Sequence, residues 1–257
     1  MAVRVIVTRP QQEAGIWVDA LAQRGFDAQL LPLIEILPPQ DAASVRRAWQ
    51  SLTKVRAAMF VSSNAVRHFF ANAQPGAQWP GDVRAWATGP GTAQALRDAG
   101  VPHSAIDAPP PDSLQFDSET LWAQVAAQVL AGDSILIVRG AQADDPANKG
   151  RDWLEQQLFA AKAQVTTVIA YRRGSPEWSA AQLARAAGFA NDATWLFSSS
   201  QAIANLRDLL PQQTWQASRA IATHARIEQA ARDAGFGVVC VSRPSVEAVV
   251  AALESFG

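Results

Sequence analysis

Small polar and basic residues recur in this chain directly after short apolar runs. Thr8-Arg9 follows "VRVIV", Ser62-Ser63-Asn64 follows "AAMFV" and Gly89-Pro90-Gly91-Thr92 follows "VRAWAT". Arg139-Gly140 follows "SILIV", Ser198-Ser199-Ser200 follows "ATWLF", Thr223-His224 follows "RAIA" and Ser242-Arg243 follows "GVVCV". If each run is a strand leading into a helix, these residues lie where free helix N–H groups point. Hydroxyls, backbone amides and guanidinium groups there suit a carboxylate or a phosphate. A plain helix cap accounts for any single serine or threonine. Recurrence at nearly every strand end favours an anion site, with Arg9, Ser62, Ser63, Gly91, Thr92, Arg139, Ser199, Ser200 and His224 as candidate contacts.

Other chemistry is sparse. The three histidines, His68, His103 and His224, lack metal-ligand spacing. His68 is expected on a helix surface, His103 in a loop, and His224 at a strand end. The single cysteine, Cys240, reads as a small apolar residue on a buried strand and excludes an intrachain disulfide. "GPGTAQ" begins like a dinucleotide fingerprint, but Gln94 stands where the third glycine belongs. Tyr171, the only tyrosine, ends the extended segment "TTVIAYRR". It is either a core tyrosine with its hydroxyl in water or a site residue.

Stepping up in size, 257 residues suit one large domain or two ordinary ones. Hydrophobic residues make up 49% and charged residues 18%, which favours a packed core over disorder. A net charge of −1 offers no global basic excess for nucleic acid or an anionic membrane. The start "MAVRVIVTRP" is strand-like rather than a signal peptide, and no run reaches the roughly 18 apolar residues of a membrane span. The expectation is a cytoplasmic monomer acting on a small molecule, without nucleic-acid or membrane partners.

Strands alternate with amphipathic helices throughout, which predicts parallel sheets covered on both faces. The helix after "FVSS", for example, carries Val66, Phe69, Phe70 and Ala73 on one stripe. The two halves also repeat each other. "VIVTRP" matches "ILIVRG", "QLLPLIEILPP" matches "TTVIAYRRGSP", and "FVSSNAV" matches "FSSSQAI". "AWATGPGTAQALRDAG" matches "AIATHARIEQAARDAG", with the glycines of the first turn replaced in the second. A repeat of roughly half the chain is too long for a solenoid and predicts two similar α/β lobes. Taken alone, it suggests two sequential lobes cut near Gly132.

With these pieces in view, the chain resembles the uroporphyrinogen-III synthase family. The resemblance rests on "VTRP", "PLIEILPP", "FVSSNAV", "ATGPGTAQAL", "VRG" followed by "GRDWL", "VIAYRR", "FSSSQAI" and "RPSVEAVVAAL", in the family's order over the whole chain. It implies two similar parallel-sheet α/β lobes, each covered by helices, joined by a two-stranded ladder, with one lobe discontinuous. By that likeness residues 1–35 join 174–257, residues 36–173 form the other lobe, and the ladder strands lie at about 31–38 and 165–173.

The resemblance also implies a reaction: cyclisation of hydroxymethylbilane, a linear tetrapyrrole with eight carboxylates, to uroporphyrinogen III in heme biosynthesis. Loss of water gives an azafulvene, attack at the substituted position of ring D gives a spiro pyrrolenine, and ring D ends inverted. No metal or organic cofactor is implied. The electron-rich pyrroles need no protein nucleophile, and none is visible. Tyr171 falls at the family's cleft tyrosine and becomes the candidate catalytic residue. The family's second-turn threonine cannot be carried over, because Ile227 stands there and Thr223, His224 or Arg226 would have to substitute. A non-catalytic two-lobed sensor for an anionic metabolite is the alternative, and a nicotinamide oxidoreductase is a third reading.

Overall fold

The structure is a computed structural model that describes residues 2–110, 113, 117–142 and 153–256. The chain divides into two compact units, Met1–Glu35 with Gly174–Gly257, and Ile36–Arg173. Each contains one sheet.

The first unit holds β1 (Arg4–Val7), β2 (Asp27–Leu30), β9 (Ala193–Phe197), β10 (Arg219–Ala222) and β11 (Val238–Val241), in the order β11-β10-β9-β1-β2. All pairs are parallel. Its helices are α1 (Gln11–Ala22), α7 (Ala180–Gly188), α8 (Ser200–Leu209), α9 (Ala225–Asp233) and α10 (Val246–Glu254). The second unit holds β3 (Glu35–Leu37), β4 (Ala57–Phe60), β5 (Arg84–Ala87), β6 (Ile106–Asp107), β7 (Ser134–Gln142) and β8 (Gln164–Gly174), in the order β3-β8-β7-β4-β5-β6. Its helices are α2 (Ala42–Gln50), α3 (Ser63–Ala71), α4 (Pro90–Asp98), α5 (Ser118–Val125) and α6 (Trp153–Ala160). Gly150, Arg151 and Asp152 of "GRDWL" lie outside the described residues.

The strands of the second unit bury both faces. Ala58, Phe60, Leu136 and Val138 join one core cluster, while Ala57, Met59, Ile135 and Ile137 join the other. A strand covered on both sides reads as a continuous apolar run, which is how "AAMF" and "ILIV" read.

The sequence repeat reappears in the strand orders. Reading β2-β1-β9-β10-β11 against β8-β7-β4-β5-β6 places each pair of matching segments at the same position. The sequential cut near Gly132 is therefore overturned. The first two strands of each half have left their own half, so β1 pairs with β9 and β7 with β4. A buried asparagine closes the discontinuous unit. Asn205 Nδ2 donates to the Leu33 carbonyl at 2.7 Å and lies 3.5 Å from the Gly174 carbonyl, on the two segments that the 36–173 insertion separates.

The echo at the two turns is also local structure. α4 and α9 both end on "RDAG", and Gly100 and Gly235 have φ of +90° and +89°. Their N–H groups donate to Arg97 and Arg232 carbonyls, and the next residues, Val101 and Phe236, donate to Leu96 and Ala231. This is the glycine stop that a left-handed residue permits.

Candidate active site

The candidate residues form two constellations, one at the carboxyl ends of each sheet's strands. In the first unit, Arg9 follows β1, Ser199 and Ser200 follow β9, and His224 follows β10, on three adjacent strands. In the second, Ser62 and Ser63 follow β4, Gly91 and Thr92 follow β5, and Arg139 and Tyr171 lie on β7 and β8.

Several candidates are helix caps. Ser62 Oγ accepts from Ala65 N–H at 3.1 Å, and Ser199 Oγ accepts from Gln201 N–H at 3.2 Å. His224 caps α9 through Nδ1, which accepts from Arg226 N–H at 3.1 Å. An accepting Nδ1 puts the neutral ring's proton on Nε2. Gly89, at the same position before α4, makes no side-chain cap. The changed turn thus exchanges a glycine cap for an imidazole cap. Thr92 and Ile227 occupy matching buried positions, 6% and 5% exposed, so an apolar side chain fills the missing threonine's place. Ser200 Oγ is buried without a hydrogen-bond partner among the described residues.

The Arg9 side chain is 15% exposed. Its guanidinium lies over the Trp17 ring, 4.4 Å from the centroid, with Glu13 at 3.8 Å. Burial pulls its pKa below the ordinary value and Glu13 opposes that fall. A cation so poorly hydrated gains from an added carboxylate.

Tyr171 occupies an unusual position. β8 runs with Val168 and Ala170 toward the core cluster that contains Phe60 and Phe69. Strict alternation would aim residue 171 the other way. Instead the β7–β8 register steps from Arg139↔Ile169 to Gly140↔Tyr171, leaving Ala170 as an extra residue. This bulge turns Tyr171 into the same cluster as Ala170, as bulges beside functional sites do. Tyr171 is 4% exposed. Its hydroxyl is 3.1 Å from Ser62 Oγ, so it is not the water-facing hydroxyl of an ordinary strand tyrosine.

Two residues take positions here that sequence reasoning did not give them: His68 was expected on a helix surface, and Gly140 was grouped with Arg139 only as a strand-end residue. His68 is half-buried, not on a helix surface. Its ring stacks on Tyr171 with centroids 5.8 Å apart and planes at 25°. Burial, then the neighbouring Arg67, hold its imidazole below the ordinary histidine range. Nothing in its spacing marked this, because the contact depends on which strand lies beside α3. Gly140 is the other; a Cβ there would lie 2.6 and 2.7 Å from Tyr171 Cε1 and Cε2, and nearer still to Cζ. Cys240 also departs from expectation, being half-exposed on the edge strand β11 rather than buried.

Comparison with known proteins gives the family and the fold. The family model described as uroporphyrinogen-III synthase HemD matches residues 16–251. The chain belongs to the uroporphyrinogen-III synthase family. A uroporphyrinogen-III synthase from Salmonella typhimurium is 28% identical over 239 residues, covering 90% of this chain and 92% of that protein. One from Chlorobaculum parvum is 31% identical over 143 residues, 53% of each chain. The crystal structure of uroporphyrinogen-III synthetase from Helicobacter pylori shares the fold, with a TM-score of 0.59, 14% identity and full coverage of both chains. The family's substrate is a tetrapyrrole. Among the described residues no helix is long and apolar enough to cross a membrane.

Proposed function

We propose that Tyr171 is the proton donor in the reaction this family member performs, the closure of hydroxymethylbilane to uroporphyrinogen III with loss of water and inversion of ring D. The observation that carries the reading is the Tyr171 hydroxyl, held at Ser62 Oγ at the strand ends of a sheet where four other candidates, Ser63, Gly91, Thr92 and Arg139, gather. Ser62 Oγ already accepts from Ala65 N–H. It can direct its own proton to the phenol oxygen, which leaves the phenol O–H for the substrate. As the bilane's terminal C–O bond breaks, the phenol proton goes to the departing hydroxyl and water forms. The ring bearing that carbon gives up its pyrrole N–H proton, which returns the phenol, and the azafulvene results. During the transfer Ser62 stabilises the phenolate.

The remaining candidates of each unit are read as holding the substrate. Arg9, Arg139 and the helix N-termini behind Ser63, Gly91, Thr92, Ser199, Ser200 and His224 are read as carboxylate anchors. Each exposed helix end contributes about 0.3–1 kcal/mol. Free bilane also closes without inversion, so fixing one conformation is the larger part of the enzyme's task. The two compact units, 1–35 with 174–257 and 36–173, are read as the domains that present these anchors.

The test is an isomer assay. Tyr171→Phe should lower kcat by roughly 10²-fold, at the low end for acid–base groups. The residual product should still be the inverted isomer, because conformational holding does not depend on this hydroxyl. Full rate would remove the donor role; the uninverted isomer would show that the two roles cannot be separated.

A further inference from the structure

Gly140 has no backbone reason to be glycine. Its φ is not among the positive ones found at Gly25, Gly76, Gly100, Gly132 and Gly235. It sits in the interior of β7, where glycine normally weakens a strand. What excludes a side chain there is one neighbour, since all three nearest atoms to an added Cβ belong to the Tyr171 ring. The same residue marks the register step that turns Tyr171 into the core. At α3 the ring meets the cap residue Ser62 at its hydroxyl and His68 stacked on its face.

We propose that Gly140 is a positioning residue for the reaction. It leaves the space that lets the bulged Tyr171 lie against β7 with its hydroxyl at Ser62. This rests on the donor role given to Tyr171 above. A methyl group at 140 would overlap the phenol carbon itself, so the ring must lift and the hydroxyl must leave Ser62. The bulge and the glycine therefore work as one device: the first aims the ring and the second receives it.

The experiment combines kinetics with chemical labelling of the full-length chain. Tyr171 is the only tyrosine, so nitration by tetranitromethane, read by mass on its peptide, reports this ring alone. In Gly140→Ala, kcat should fall by about as much as in Tyr171→Phe, roughly 10²-fold, with KM changed less than threefold, and Tyr171 should become reactive. In the double variant Gly140→Ala/Tyr171→Phe, kcat should be no lower than in Tyr171→Phe. Wild-type kcat with a protected tyrosine, or losses that multiply in the double variant, would overturn the proposal. If Tyr171→Phe keeps full rate, the donor role fails, and nitration alone decides the positioning. A ring that becomes reactive in Gly140→Ala supports it; a protected ring overturns it. If Gly140→Ala does not fold, Gly140→Ala/Tyr171→Ala should fold as well as Tyr171→Ala, because the colliding ring is gone. An unfolded double variant would show that the glycine serves the backbone instead, and would overturn the proposal.

Discussion

At the scale of single residues, the site is built from groups that do two things at once. Ser62 caps α3 and touches the phenol; Ser62→Ala should therefore cost both stability and rate. Losing one hydrogen bond to the phenolate corresponds to about 1.4 kcal/mol, or roughly tenfold in kcat. A steady-state comparison with Tyr171→Phe checks the ordering, since Ser62→Ala must be the milder of the two. Arg9 pairs loosely with Glu13 and stacks on Trp17, so it is placed but not saturated. Arg9→Ala should raise KM, and the ratio to the wild type should shrink as added salt screens the contact that the wild type still makes. Unchanged kinetics at both low and high salt would assign Arg9 to packing alone. The candidate anchors were readable as types at strand ends. The aim of Tyr171 was not, because a bulge reverses the alternation on which any reading of side-chain direction depends.

At the scale of elements, α3 is sensitive to protons. His68 has a folded-state pKa below its unfolded value of about 6.5. Above that pH both states are neutral and the fold loses nothing. As pH falls below it, the unfolded chain binds the proton first, and stability drops until the folded pKa is reached. Denaturant midpoints between pH 7 and 5 should slope downward in the wild type and less in His68→Phe, which keeps the stack without the proton. Equal slopes would refute the assignment. Asn205 on α8 is the matching device in the other unit. Asn205→Ala should destabilise it by about 1–3 kcal/mol, because the Leu33 carbonyl loses its donor; calorimetry would measure this. Helices and strands such as α3, α4, β4 and β7 were legible from periodicity and from glycine stops. Strand partners were not. The runs before Arg9 and Arg139 are both largely buried and rich in β-branched residues, and nothing local says which of β4 and β9 each will join.

At the scale of the whole molecule, the contiguous unit 36–173 carries two complete cores on its own sheet. Expressed alone, it should fold cooperatively. The other unit should fold when residue 35 is joined to residue 174 by a short linker, since Asn205 already holds Leu33 and Gly174 together. Dispersed NMR spectra would verify both, and a disordered 36–173 fragment would contradict the division. The family relationship was legible from the order of many weak segments, none specific alone. The exchange of strands between the two halves was not legible from the repeat itself, because a repeat records likeness and not pairing.

That exchange has a consequence during synthesis on the ribosome. Thr8 bonds to the Leu196 carbonyl across 188 residues of sequence. At roughly 5–20 residues per second, β1 emerges about 10–40 s before its partner β9 exists. Meanwhile β4, the counterpart of β9 in the repeat, is already present. The nascent chain therefore passes through a period in which β1 has its partner β2 on one edge, while the edge that β9 will take has only the wrong neighbour on offer. It escapes when β7 emerges and occupies that edge of β4. Translation pausing after β4 should increase misfolded product, and pausing after β7 should not.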